Sequence, residues 1–419
     1  MIETLEILPG VILRCYTDSR FKQGCLSFQL VRRMCAEEAA LNALLPAVLL
    51  RGCRRSPDLR AITARLDELY GASVGALVRR VGDYQTTGLH CGFMEDRFAL
   101  EGDAIFAPMV ELLRQLLTEP ILEREGFCKE FVESEKKNLI ATIEAERNDK
   151  RAYAAAQLMR LMCKEDSFGI PRLGEKEQVT PITAEGLYDH YQKILRSSVV
   201  NLFYVGSFTA AQVAELVKPL LVDIPRQPED LPHQTPFHAC PASENEELME
   251  IAQARLSMGF ITPITNQSPR FPAMQVLNMV FGGGMTSKLF MNVREKLSLC
   301  YSVGSNYYGT KGLVTVSAGV DECNAEIARK EILAQLEACK EGTITEEELT
   351  AAKEGVLSAL KTVYDSPGAI EGYYAVGALS GVPLETATHS QMIRGVTRED
   401  VARVAETLSY HSSFILKGN

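Results

Sequence analysis

The chain has 419 residues, 46% hydrophobic and 23% charged, a composition suited to a globular protein of two or three domains with large cores. Its 44 Lys and Arg against 54 Asp and Glu leave a net charge of −10, which argues against a nucleic-acid partner, because there is no basic excess to drive counterion release. At the N-terminus, MIETLEILPGVILRCYTDSR places two Glu before a short apolar run broken at Pro9-Gly10, unlike a secretory signal. No later apolar run nears the roughly 20 residues of a membrane span, so the expected setting is cytoplasmic, with no membrane partner.

In chain order, the first marked segment is NALLPAVLLRGCRRSPDL (42–59), an apolar helix running through Arg51-Gly52-Cys53 into a basic turn. A strand follows at GASVGALVRRV (71–81). It reads equally as a peptide-pairing edge, with Gly71 and Ala72 leaving room for a bound chain, or as an ordinary edge protected by Arg79 and Arg80. Eleven Cys are scattered with no CxxC pair, which reads as buried reduced thiols. None of the six His (His90, His190, His233, His238, His389 and His411) forms an i, i+4 pair. His90 reads as a sheet residue, and His233 and His238 as chance neighbours. Gly282-Gly283-Gly284 lacks the Lys-Ser/Thr of a phosphate loop and reads as a turn between helices that lets the chain pass close to a strand or peptide.

The chain is internally duplicated. TPITAEGLYDHYQKILRSSVVNLFYVGSF (180–208) and GVTREDVARVAETLSYHSSFILKGN (395–419) both run from Thr through an acidic residue and an amphipathic helix to an apolar strand and Gly. Thr183 and Thr397, 397 − 183 = 214 residues apart, are the expected N-caps. Nearly the same offset sets 127–146 on 343–362 and brings 42–59 near 271–290. Each half is expected to be an α+β unit with an antiparallel sheet covered by helices on one face. The halves are 1–221 and 248–419, joined by a Pro-rich acidic linker at 222–247.

The duplicated order and three segments carry a family resemblance: LLRGCRRSPDLRAITARLDELYGASVGALVRRVGDYQTTGLHC (49–91), DSFGIPRLGEKEQVTPIT (166–183), and VFGGGMTSKLFMNVREKLSLCYSVGS (280–305). Across essentially its whole length the chain resembles the insulinase/pitrilysin-type (inverzincin) metallopeptidases, most closely the short-chain processing-peptidase-like group. In that family, zinc is held by an inverted His-x-x-Glu-His motif and a distant Glu. With Gly52 set on the Gly after the motif helix, the motif falls on Ala43-Leu44-Leu45-Pro46-Ala47: both His positions hold Ala (Ala43, Ala47) and the base position holds Pro46. The third ligand falls on Thr142, seven residues after Glu135, while Glu144 points about 200° away around the helix. The resemblance therefore implies an inactive, non-zinc member, with no cofactor in this chain and zinc only in a partner subunit.

In the family the C-terminal half supplies an Arg and a Tyr that close over substrate, and VREKLSLCYSVGS matches them with Arg294 and Tyr301. A guanidinium can hold a substrate carbonyl by forked hydrogen bonds, and a phenol can donate to a developing oxyanion. A plain structural reading pairs Arg294 with Glu295 or Asp321. The resemblance implies a clamshell built from two such chains. The expected function is a subunit, catalytically inactive alone, that supplies Arg294 and Tyr301 to the site of a zinc-bearing homologue acting on peptides; a homodimer is the other assembly. The alternative is a non-proteolytic peptide- or protein-binding scaffold linked to protein modification or processing, with Gly71, Ala72 and Gly282–Gly284 as peptide-binding positions.

Overall fold

The computed structural model describes residues 2–231, 237, 240–380 and 385–418. The strands are β1 (Ile2–Leu8), β2 (Val11–Thr17), β3 (Gln23–Arg33), β4 (Ser73–Val81), β5 (Tyr84–Met94), β6 (Val199–Gly206), β7 (Glu244–Met249), β8 (Ala254–Ile261), β9 (Cys300–Tyr308), β10 (Leu313–Val320) and β11 (Ser409–Gly418). The principal helices are α1 (Ala36–Leu49), α2 (Leu59–Glu68), α3 (Phe106–Thr118), α4 (Lys129–Ala145), α5 (Lys150–Met162), α6 (Ala184–Ser197), α7 (Ala210–Val217), α8 (Phe271–Asn278), α9 (Ala325–Lys340), α10 (Glu346–Thr362), α11 (Pro367–Ser380), α12 (Thr386–Gly395) and α13 (Arg398–Glu406).

The duplication is visible in the strand order. One sheet runs β1-β2-β6-β3-β5-β4 and the other β9-β10-β8-β11-β7. Read from the opposite end, the second is β7-β11-β8-β10-β9, which matches β2-β6-β3-β5-β4 strand for strand. Strand β1 is the extra member, so the first half opens with three strands before its first helix. The sheets are also not wholly antiparallel. β2 pairs with β6 in parallel, and β11 pairs with β7 in parallel, the same pair in each repeat. Thr183 caps α6 by accepting from the Gly186 N–H, and Thr397 caps α13 by accepting from the Asp400 N–H.

One face of the first sheet is apolar. Leu26, Phe28 and Leu30 of β3, Leu89, Cys91 and Phe93 of β5, and Val200, Leu202 and Tyr204 of β6 point into a core with α1, α3, α6 and α7. The alternate residues make the other face the more polar one, with Ser27, Gln29, His90 and Asn201 lying there beside Phe203 and Val205.

The compact units are not the contiguous halves 1–221 and 248–419. The first comprises 1–144, 170–233 and 364–379; the second comprises 145–169, 234–363 and 380–419. Each unit thus takes in a helical segment from the other half of the sequence. Segment 145–169 brings α5 onto β8 and β11, so closely that a Cβ on Gly259 would sit 2.0 Å from the Met162 sulfur. Segment 364–379 brings most of α11 to the polar face of the first sheet. A buried carboxylate fastens each segment. Asp166 meets Lys311 Nζ at 2.9 Å, both side chains buried. Glu371 meets Arg79 through a forked pair of 2.9 and 2.8 Å, and also accepts from Ser27 Oγ (2.8 Å) and Gln29 Nε2 (2.7 Å).

Candidate functional site

The positions matching the zinc motif lie in the second half of α1. Ala43 and Pro46 are buried and Ala47 is half-buried. They offer two methyl groups and a pyrrolidine ring, none of which can ligate a metal. Thr142 sits exposed on α4 and donates its hydroxyl to the Asn138 carbonyl at 2.9 Å. Glu144 pairs with Lys176. Glu135 receives Arg51 at 3.2 Å, and the Arg51 guanidinium also lies 5.2 Å from the Phe131 ring centroid. This donor set does not fit zinc. Among the described residues, no three His, Cys, Asp or Glu gather where they could hold a metal ion.

Pro46 also changes the backbone hydrogen bonding of α1. A proline inside a helix cannot donate to the carbonyl four residues back, here that of Asn42. The Thr87 hydroxyl of β5 donates to that carbonyl instead, at 2.5 Å. The buried Asn42 side chain continues the network: its Nδ2 donates to Gln85 Oε1 at 2.9 Å, and its Oδ1 accepts from His190 Nε2 at 2.8 Å. A Thr87→Val variant, alike in shape, should lose about 1–3 kcal/mol of stability by orphaning the Asn42 carbonyl. Denaturant unfolding reads this directly, and an unchanged midpoint would mean the carbonyl finds another donor.

Burial lowers the His190 imidazole from 6.5 to about 4, with Glu38 opposing the shift and Arg32 and Lys193 adding to it. The folded value lies below the unfolded one. The neutral ring's contribution is therefore whole above pH 6.5 and is lost as pH falls from there towards 4. Unfolding free energy should drop across that window by up to about 3 kcal/mol. In His190→Gln the drop should be visibly flatter, measured by urea unfolding at each end of the window; an equally steep fall would clear His190 of the effect.

The remaining described His are sheet or core residues. His389 bonds Gln275 Oε1 at 2.5 Å and His411 donates to the Cys240 carbonyl at 2.8 Å. His233 and His238 lie outside the described residues.

The edge strand expected near 71–81 is β4, an end strand of the first sheet among the described residues. Gly71 and Ala72 do not line it: Gly71 makes the turn before it at φ +72°, and Ala72 packs into the core. The groove beside β4, about 510 Å³, is walled instead by Ser73–Arg79, His90, Gly368 and Glu371. Arg79 and Arg80 are not simple edge charges. Arg79 holds Glu371, and Arg80 donates to the Ile170 carbonyl at 2.9 Å. Glu371 belongs to this groove, and nothing local in the sequence separates it from the chain's other acidic residues.

In the second unit, Gly282 and Gly283 end a wide π-type turn (Met279–Gly283), with Gly284 following. The close approach expected of them is real for Gly282, where a Cβ would lie 2.8 Å from the Ser305 nitrogen of β9. β9 is one end strand of its sheet among the described residues, and a groove of about 380 Å³ joins Gly282–Gly284 to Arg151, Phe290 and Val303–Asn306. Arg294 lies on a second π-type stretch (Leu289–Lys296), over the Phe290 ring at 4.6 Å and 3.5 Å from Glu295. Tyr301 is 64% exposed, its hydroxyl 3.5 Å from Asp321.

Residues 181–356 match the family described as Peptidase M16 inactive domain. The chain is 29% identical over 409 residues to the probable inactive metalloprotease YmfF of Bacillus subtilis (strain 168), covering 98% of this chain and 96% of that protein. It is 26% identical over 202 residues, 48% of each chain, to the uncharacterized zinc protease YmxG of the same organism. A conserved protein of Enterococcus faecalis V583 shares the fold at a TM-score of 0.92 with 27% identity, covering 100% of this chain and 99% of the other. The peptidase M16 inactive domain from Pseudomonas fluorescens shares the fold at 0.82 with 17% identity, covering 100% and 98%. By the family match over 181–356 and by similarity along nearly its whole length to a probable inactive metalloprotease, the chain resembles the inactive peptidases of the M16 family.

Proposed function

We propose that this chain is the non-zinc subunit of a two-chain peptidase, pairing with a zinc-bearing homologue and presenting Arg294 and Tyr301 to a shared peptide-hydrolysing site. The observation that carries this is a contrast. The zinc positions have been turned into packing and backbone satisfaction around Pro46, whereas Arg294 and Tyr301 stay at the surface. The Arg294 side chain is 40% exposed and lies against its near neighbours Glu295 and Phe290, and Tyr301 is largely in solvent. Residues kept only for the fold would be expected to be buried or firmly bonded. The occurrence in Bacillus subtilis of similar proteins named as an inactive metalloprotease and as a zinc protease supports a division of labour between two chains.

The test mixes this chain with the zinc-bearing homologue of the same genome and follows cleavage of a mixed peptide library. The expected result is co-elution of the two chains and faster cleavage than by the homologue alone. Chains that neither associate nor gain activity together would rule the reading out.

The groove beside β4 favours one second reading, a scaffold that binds an extended peptide without cutting it. Peptide binding by the isolated chain, with no gain of activity on mixing, would select it.

A further inference from the structure

The two repeats share their strand order, but they finish one sheet edge differently. In the first unit, β2 is covered: β1 pairs with it antiparallel, from Ile2↔Tyr16 to Leu8↔Val11. Helix α7 then packs on β1, β2 and α3, sealing the space between that edge and the helical layer. In the second unit the counterpart of β2 is β7 and the counterpart of α3 is α9. There β7 is the last strand of its sheet among the described residues. Between β7 and the start of α9 lies an open groove of about 490 Å³.

The groove is acidic at its walls and apolar at its floor. Glu244, Glu246, Glu322 and Glu326 line it against Arg329 and Lys417, over Leu256 and Ile415. Arg329 is shared between Glu244 and Glu326, and Lys417 pairs with Glu246 at 2.6 Å, so the carboxylates outnumber the cations. The backbone of β7 is also oriented for pairing. Ser413 of β11 donates its N–H to the Ser243 carbonyl at 3.0 Å. By strand alternation, the N–H and C=O groups of Glu244, Glu246 and Leu248 point away from β11, towards solvent. Leu248 is 62% exposed on this edge.

We propose that the β7 edge is a docking site for an extended, Lys- or Arg-rich segment of a partner protein, which adds to the sheet as β1 adds to β2. Its outward N–H and C=O groups would complete the ladder, and every second side chain would reach over the acidic groove. A second copy of this chain is disfavoured as the occupant, because two β7 strands side by side would set Glu244, Glu246 and Glu247 against their own kind. The proposal does not depend on the peptidase reading, since it uses neither Arg294 nor Tyr301.

The test uses the full chain and a fluorescein-labelled peptide of about ten residues alternating Lys and Val, with a Glu/Val peptide of equal length as control. Fluorescence anisotropy should show saturable binding of the Lys peptide, weakening with added salt, and none of the Glu peptide. Glu246→Pro removes an outward N–H without touching the β11 ladder, while Glu246→Ala removes only the side chain. Binding should fall about tenfold or more in Glu246→Pro and much less in Glu246→Ala. Thermal melts confirm that both variants are folded. If Glu246→Pro does not fold, Glu322→Gln/Glu326→Gln carries the test and should weaken the Lys peptide about tenfold. Equal binding of both peptides, no binding, or equal effects of the two Glu246 variants would overturn the proposal, the last pointing to a helix in the groove. Self-association that Glu246→Pro abolishes, seen by sedimentation, would overturn it in favour of a second copy.

Discussion

Replacing Glu371 with Ala should destabilise the first unit by about 3 kcal/mol and release the 364–379 segment from its sheet. Glu371 is fully buried and accepts four hydrogen bonds, two from Arg79 and one each from Ser27 and Gln29. Removing it leaves the Ser27 hydroxyl without its acceptor, leaves the Gln29 amide only its bond to Ser27 Oγ at 2.9 Å, and strips the guanidinium of the one carboxylate among the described residues lining this groove. Arg79 is 32% exposed, so water can take up part of the loss, which places the expected cost at the low end of the range for breaking buried pairs. Arg79→Met should cost at least as much, because it strands a carboxylate that has no exposure. The double variant Arg79→Met/Glu371→Met should be milder than the sum of the single changes, since the two residues share one interaction. The chain has two units and need not unfold in one step, so hydrogen exchange resolved by segment is the better reading. Residues 364–379 should exchange much faster in Glu371→Ala while β8 and β10 are unaffected. Unchanged protection of 364–379 would show that the ion pair does not hold the segment.

This fastening marks the limit of what the sequence discloses. Thr183 and Thr397 are legible as caps because the signal is local: a hydroxyl, an acidic first turn and an amphipathic run. The duplication is legible because both repeats keep that signal, and β4 is legible as a short strand bounded by a Gly turn. The helix exchange is not. α5 and α11 look like ordinary helices of their own halves, and their destination shows only in tertiary contacts: the apolar face of α5 packs with Leu313, Phe414 and Leu416, and Asp166 and Glu371 meet cations far along the chain. Arg79 reads as edge protection until its partner, 292 residues away, is known. Pro46 is readable as a lost catalytic base, but its repair by Thr87 is a tertiary contact across 87 − 42 = 45 residues, from β5 to the Asn42 carbonyl. β1 is not legible as an addition to the repeat, because a single short edge strand has no counterpart in the other half against which to count it.

Arg294→Ala, placed in the complex with a zinc-bearing homologue, should lower peptide cleavage by about 10²–10³-fold while leaving assembly intact. The size follows from the role proposed for it: a forked donor aimed at a carbonyl oxygen is worth most where charge develops during attack. Arg294→Lys keeps the charge but not the fork, and should recover only part of the rate. Tyr301→Phe should be slowed to a comparable degree, and the loss should appear in kcat more than in KM if the phenol acts on the oxyanion rather than on bound substrate. The isolated chain gives the control that separates a functional pair from a structural one. Arg294 rests on Phe290 and Glu295, and the exposed Tyr301 hydroxyl reaches Asp321 at 3.5 Å, so neither change should shift its melting temperature by more than surface substitutions usually do. Full activity in an assembled Arg294→Ala complex would sink the shared-site reading and leave the groove beside β4 as the feature to explain. A variant that fails to assemble would instead place Arg294 in the contact between chains, and co-elution of the two subunits distinguishes that outcome from loss of chemistry.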